Sequence, residues 1–244
     1  MSGALRVYQS PADVAAALAA TFAERAAEAI AHRGRFVVSL AGGTTPKAAY
    51  ALLAQPPFAG TIDWHAVVVF FGDERCVPPG DDQSNYKMAM TSFLRDVAIP
   101  AANVHRMRGE DEPRAAASAY RAELTSILGE GVQFDLVLLG MGPDGHTASL
   151  FPGEDPLTGN ETLVRAVYSD VQSQWRITLT PRVFNAARAI VFSVEGSAKA
   201  HTLAEVRNGP RNPARLPAQI ISPTNGTLIW LADDAAASDA AVSG

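Results

Sequence analysis

One cysteine, Cys76, in 244 residues excludes an intrachain disulfide framework and fits a reducing compartment. No apolar run approaches the roughly 18 residues of a membrane span. Met1 to Ser10 lacks the charged-then-apolar pattern of a secretory leader. A soluble, cytoplasmic protein is expected, with no membrane partner. Basic runs are missing as well: 20 Lys and Arg stand against 25 Asp and Glu, a formal net charge of −5. That balance argues against nucleic acid as the main partner. An anionic ligand would have to find its positive charge locally. The five histidines, His32, His65, His105, His146 and His201, include no pair at ligand spacing, so no metal is expected. There is no internal repeat. What the chain has in quantity is apolar residues, 48% of the total, enough for the core of one large α/β domain or two tightly joined lobes.

Strand and helix signals alternate. Short apolar runs at Leu5 to Tyr8, Phe36 to Leu40, Val67 to Phe71, Phe134 to Leu139, Ile177 to Leu179, Ala189 to Phe192 and Thr227 to Leu231 read as strands. Helical patterns fill Pro11 to His32, the segment ending at Leu53, Asn85 to Leu94, Glu112 to Leu128 and Ser197 to Val206. Gly72 to Ser84, the Pro/Gly-rich Phe151 to Gly159 and Asn208 to Pro217 read as loops. Such alternation predicts a mostly parallel sheet covered on both faces. A single domain is expected over residues 1–232, with 233–244 a flexible tail.

The most informative stretch is Leu136 to Leu150, which contains Asp144-Gly145-His146. A buried strand runs into a glycine-rich loop and then a possible helix start, the usual ligand position in an open α/β sheet. A carboxylate two residues from an imidazole there reads as a base with its orienter. The same stretch fits the dinucleotide pattern Gly-x-Gly-x-x-Gly at Gly140, Gly142 and Gly145. However, Pro143 removes an amide and Asp144 puts negative charge where a pyrophosphate would lie. A tight turn with a surface histidine is the plainer alternative.

Two more strand ends carry polar groups. Gly42-Gly43-Thr44-Thr45-Pro46 follows a strand and opens a helix, with Thr45 as N-cap and Pro46 at the first helical position, a plausible phosphate cradle. An ordinary βα turn is the alternative. Phe71-Gly72-Asp73-Glu74-Arg75 is either a surface ion pair or a site where Arg75 holds an anion and Asp73 positions a hydroxyl or proton. Arg176 and Lys199, also beside strand-end loops, are candidate phosphate ligands.

Taken with Thr147-Ala148-Ser149-Leu150-Phe151-Pro152 and Arg176-Ile177-Thr178-Leu179, these blocks resemble in order and spacing those of the bacterial 6-phosphogluconolactonases, over nearly the whole chain. The resemblance implies a Rossmann-like three-layer α/β/α fold shared with glucosamine-6-phosphate deaminases. It implies metal-independent hydrolysis of 6-phospho-D-glucono-1,5-lactone to 6-phosphogluconate, in the oxidative pentose phosphate pathway, with no cofactor. The deaminases share Asp73, Asp144 and His146 but use a glutamate a few residues past the histidine. Phe151 stands there, and the first carboxylate is Glu154, so the lactonase is favoured provided Glu154 does not turn inward.

On that basis His146 is expected to activate water, oriented by Asp144, with amides near Gly43 or Gly142 meeting the oxyanion. Gly42, Gly43, Thr44, Thr45, Arg176 and Lys199 would hold the phosphate, with Arg75 completing the positive wall. Asp73 would bind sugar hydroxyls. A phosphosugar-sensing regulator is the remaining alternative, but the chain leaves no room for a helix-turn-helix beyond the sheet. The only expected partner is the small-molecule lactone, bound by a monomer or small homo-oligomer.

Overall fold

The computed structural model describes residues 3–154 and 162–240. Nine strands are present among them: β1 (Ala4–Tyr8), β2 (Phe36–Leu40), β3 (Val67–Phe71), β4 (Asp73–Arg75), β5 (Leu136–Gly140), β6 (Val164–Ser169), β7 (Gln174–Leu179), β8 (Ala189–Val194) and β9 (Thr227–Asp233). The helices are α1 (Pro11–Arg33), α2 (Thr44–Leu53), α3 (Phe58–Thr61), α4 (Asn85–Ala89), α5 (Pro113–Leu128), α6 (Pro181–Asn185), α7 (Ala200–Asn208) and α8 (Asp234–Ala237).

Six strands form one sheet in the order β1-β9-β8-β5-β2-β3, with every pairing parallel. Runs such as Phe-Val-Val-Ser-Leu in β2 are buried at every position, as a strand covered on both faces requires. Alternate side chains go to opposite faces. Val37, Val137, Leu139, Phe192 and Trp230 meet residues of α5 and α7 on one side. Val38, Leu40, Leu136, Leu138 and Val191 meet α1 and α2 on the other. The result is the expected three-layer α/β/α arrangement. Helix α1 shows how local sequence sets its limits. The Ser10 side chain accepts from the Asp13 amide at its start, and Gly34 ends it at φ 73°, a left-handed conformation that suits glycine.

The sheet order places a switch point at β2, flanked by β3 on one side and β5 on the other. Crossover connections leave in opposite directions there, which opens a crevice at the strands' carboxyl ends.

Three expectations are corrected. Gly72 to Ser84 is not all loop: Asp73–Arg75 is a strand of a second, antiparallel sheet, ordered β4-β7-β6. Three charged residues give no apolar pattern to read, because their pairing with β7 is made by the backbone. The strand β6 is also additional, while much of the Phe151 to Gly159 loop lies outside the described residues. Finally, the folded unit does not stop at residue 232. Asp233 is buried and caps α8 by accepting from the Ala236 amide, and Ala236 and Ala237 enter the core. Small alanines resemble tail composition but are also what a closely packed helix needs. Residues 241–244 lie outside the described part.

Candidate active site

At the switch point the carboxyl ends of β2, β5 and β8 surround a cleft of about 360 Å³. Gly42, Gly43, Thr44, Thr45, Asp73, Arg75, Gly142, His146 and Lys199 line it. Sequence positions more than 150 residues apart thus meet in one place.

The loop after β5 carries the imidazole. His146 Nδ1 lies 2.6 Å from Asp144 Oδ1, and the same oxygen accepts from the His146 amide at 3.1 Å. An ionised carboxylate only accepts, so Nδ1 is the donor, and in the neutral ring Nε2 then holds the lone pair. The pair with His146 holds the Asp144 carboxyl below the usual carboxylate range. Gly142 leaves the space the ring occupies: a Cβ there would lie 2.2 Å from His146 Nδ1. Gly145 turns at φ 81° against Leu216, and its carbonyl accepts from the Ala218 amide. Thr202 of α7 donates to the Pro143 carbonyl, and Thr147 to that of Gly140. Ala148, in the cleft wall, is held at φ 48°, an uncommon conformation for a residue with a Cβ.

The loop after β2 supplies a helix amino terminus. Gly43, at φ 111°, is the N-cap and Thr44 the first helical residue, so Thr45 is not the cap and Pro46 lies two residues inside the start. Tyr50 fixes the approach by accepting from the Ala41 amide and donating to its carbonyl. The Thr44 hydroxyl donates to Glu195 at 2.5 Å. Glu195 directly follows β8, on the loop that leads to Lys199. Burial pulls the Lys199 ammonium below its usual range, opposed by Glu195 and Asp233. Asp233 also accepts from the Gly196 amide and so ties the lysine's loop to the end of β9.

On the third side, Asp73 accepts from Ser149 Oγ at 2.7 Å and from Asn85 Nδ2 at 3.2 Å. Its neighbour Glu74 is buried and accepts from four donors: the Arg75, Asn85 and Tyr86 amides and Ser84 Oγ. Burial pushes the Glu74 carboxyl up, while these hydrogen bonds oppose the shift. Asn85 in turn fills the space beside Gly42, where a Cβ would lie 2.2 Å from its Oδ1. Glu74 and Ser149 lay in the sequence blocks without an assigned role, and Asn85 was read only as the start of a helix. A buried carboxylate feeding a helix start 11 residues on leaves no local signal.

Arg176 is the exception among the expected ligands. It does not line this cleft but a neighbouring depression, shared with Arg75 and bordered by Gln172 and Gln174. The two arginines face each other across the β4–β7 ladder. Burial, then the like charge of Arg75, pulls the Arg176 guanidinium down, and it donates to Gln172. Phe151 contacts the imidazole, ring centroids 5.3 Å apart. Glu154 does not line the cleft, and the charges that act on it are those of Arg165 and Asp170. Among the described residues no three His, Cys, Asp or Glu side chains converge as a metal site, and no helix is long and apolar enough to cross a membrane.

A parallel α/β sheet with glycine loops, an imidazole–carboxylate pair and a lysine-flanked helix terminus at its switch point defines a Rossmann-like protein with an enzyme's cleft. The chain belongs to the family of glucosamine-6-phosphate isomerases and 6-phosphogluconolactonases, whose model matches residues 9–230. It is 41% identical to a 6-phosphogluconolactonase of Synechocystis, over 87% of this chain and 88% of that one. The figures for a 6-phosphogluconolactonase of Haemophilus influenzae are 39%, 82% and 85%. Among solved structures, a 6-phosphogluconolactonase from Trypanosoma cruzi superposes with a TM-score of 0.87 at 28% identity, covering 98% of both chains. The resemblance noted in the sequence is therefore correct at the level of family.

Proposed function

We propose that this chain hydrolyses 6-phospho-D-glucono-1,5-lactone to 6-phospho-D-gluconate, in the oxidative pentose phosphate pathway of the cytoplasm, using water activated by His146 and no metal. The observation that carries this reading is the His146–Asp144 pair at the cleft, with Phe151 rather than a carboxylate against the ring. The names of the relatives agree with it.

A lactone carbonyl is already electrophilic, so the protein has three tasks. Nε2 of His146 takes a proton from water as its oxygen bonds to C1. Asp144 stabilises the resulting imidazolium, as the third group of a triad does. When the bond from C1 to the ring oxygen breaks, the imidazolium returns its proton to that oxygen. Positioned proton transfer of this kind contributes about 10²–10⁴-fold. Amides at Gly43 or Gly142 stabilise the oxyanion. The phosphate sits on the amino terminus of α2, held by Gly42 to Thr45 and by Lys199, with Arg75 beyond them. Arg176 then acts through Arg75, by adding positive potential behind it. Asp73, held by Ser149 and Asn85, accepts from sugar hydroxyls.

The test is one preparation assayed after exhaustive chelation. Hydrolysis of the phosphorylated lactone above the spontaneous rate, with no ammonia from glucosamine 6-phosphate, is the expected outcome. Ammonia release at a comparable rate would transfer the assignment to the isomerase branch. Activity lost to chelation and restored by a divalent ion would make Asp73, Asp144 and His146 ligands.

A further inference from the structure

A second cavity, of about 320 Å³, lies at the other end of α7. Its wall includes Arg207, Arg211 and Gln219, and its apolar side includes Ile221, Leu228 and Trp230. Lys199 precedes the first residue of α7 and Arg207 is eight residues on, about 12 Å along a helix at 1.5 Å per residue. The cavity is therefore distinct from the catalytic cleft and shares no lining residue with it.

Its chemistry is lopsided. Neither guanidinium makes an ion pair with a carboxylate among the described residues. Arg207 donates to the Gly3 carbonyl and Arg211 to that of Gln219, and Arg207 Nε is buried without a partner. Burial alone pulls the Arg207 guanidinium down, with no carboxylate acting on it. Glu205, on the same helix, has its carboxylate taken up by Arg215 at 2.7 and 3.1 Å. A half-buried charge normally has a counter-charge, and Arg207 lacks one, while Arg211 is exposed at the rim beside it. The apolar side is rigid: Trp230 stacks on Phe192 with centroids 3.9 Å apart and planes 9° from parallel.

We propose that this cavity is a second binding site, which takes a small organic anion with an apolar body. The head group, phosphate or carboxylate, meets Arg207 and Arg211 in charge-assisted hydrogen bonds. The body lies against Leu228 and Trp230. Two unpaired guanidiniums beside an apolar wall fit such a ligand better than a bare ion, which would leave the wall wet, or a neutral one, which would leave the charges unmet.

Phenyl phosphate is a suitable probe, followed by the indole N–H resonance of Trp230, assigned with Trp230→Phe. A saturable shift is expected. Arg211→Glu, at an exposed position that does not endanger folding, should weaken it by about tenfold or more. Arg207→Gln should do the same, and Lys199→Ala should leave it unchanged. Benzyl alcohol should not shift the resonance, and inorganic phosphate should do so at least about tenfold more weakly. Equal response to inorganic phosphate, no saturation, or unchanged binding in Arg211→Glu would each overturn the proposal. A response abolished by Lys199→Ala would place the anion in the catalytic cleft and overturn it too.

Discussion

Gly142→Ala examines the catalytic geometry without removing any functional group. The new Cβ would stand 2.2 Å from His146 Nδ1, 2.3 Å from its Cε1 and 2.6 Å from Asp144 Oδ1. Ordinary contacts of this kind lie near 3.5 Å, so ring and carboxylate must retreat by roughly 1 Å. Gly142 is not held in the left-handed region, so its backbone tolerates alanine and the fold should survive. A displacement of about 1 Å in a catalytic group costs on the order of 10²-fold. In an assay coupled to oxidation of 6-phosphogluconate, with the blank subtracted, kcat should fall by about that factor. KM should change little, because the phosphate contacts lie across the cleft at α2. The melting temperature should stay within a few degrees of the parent's. A kcat within about threefold of the parent would refute the reasoning, since the imidazole would then work from a place the structure does not give it.

His146→Ala should lower kcat by at least about 10²-fold with little effect on KM, because the base acts mainly in the transition state. The rate of the parent should fall with acidification as the imidazole takes up a proton and loses its free lone pair. Asp144, held below the usual carboxylate range by its pair with His146, stays ionised as the acid limb develops, so that limb should follow one proton uptake and not two. Two ionisations there would contradict the assignment. Lys199→Ala should chiefly raise KM for the phosphorylated lactone and barely affect hydrolysis of unphosphorylated gluconolactone, as steady-state kinetics on both substrates will show. Glu74→Ala leaves the Arg75, Asn85 and Tyr86 amides without their acceptor, a loss of about 3 kcal/mol or more. For a chain of this size that is about 6–12 °C in Tm by calorimetry, and an unchanged Tm would mean the amides find other partners.

The central sheet was legible because buried parallel strands and amphipathic helices write their periods locally. Phe36 to Leu40 and Val67 to Phe71 carry them without interruption, and the expected limits match the structure. The site loops were legible for a related reason: Gly42, Gly142 and Gly145 are glycines because Asn85, His146 and Leu216 leave no space for a Cβ. The parts that escaped depend on distant partners. The strand Asp73–Arg75 exists through β7, about 100 residues away, and Glu74 is buried because α4 supplies the donors for it. Arg176 was grouped with the phosphate ligands on its place beside a strand-end loop and on the family resemblance. Its register opposite Arg75, beside which it lines a neighbouring depression, is a tertiary fact. The same holds for Ala236 and Ala237, whose size says tail or tight packing with equal force until the neighbours are known.

A crystal soaked with 6-phosphogluconate tests the proposed reaction most directly, because the product carries both the reacted carbon and the phosphate. The prediction is that C1 lies within hydrogen-bonding reach of His146 Nε2 through one water or its own carboxylate oxygen. The phosphate should rest on the amides of Gly43 to Thr45, with Lys199 beside it and the Thr44 hydroxyl turned from Glu195 toward it. A product bound the other way round, with its phosphate at His146, or bound outside the cleft altogether, would contradict the mechanism.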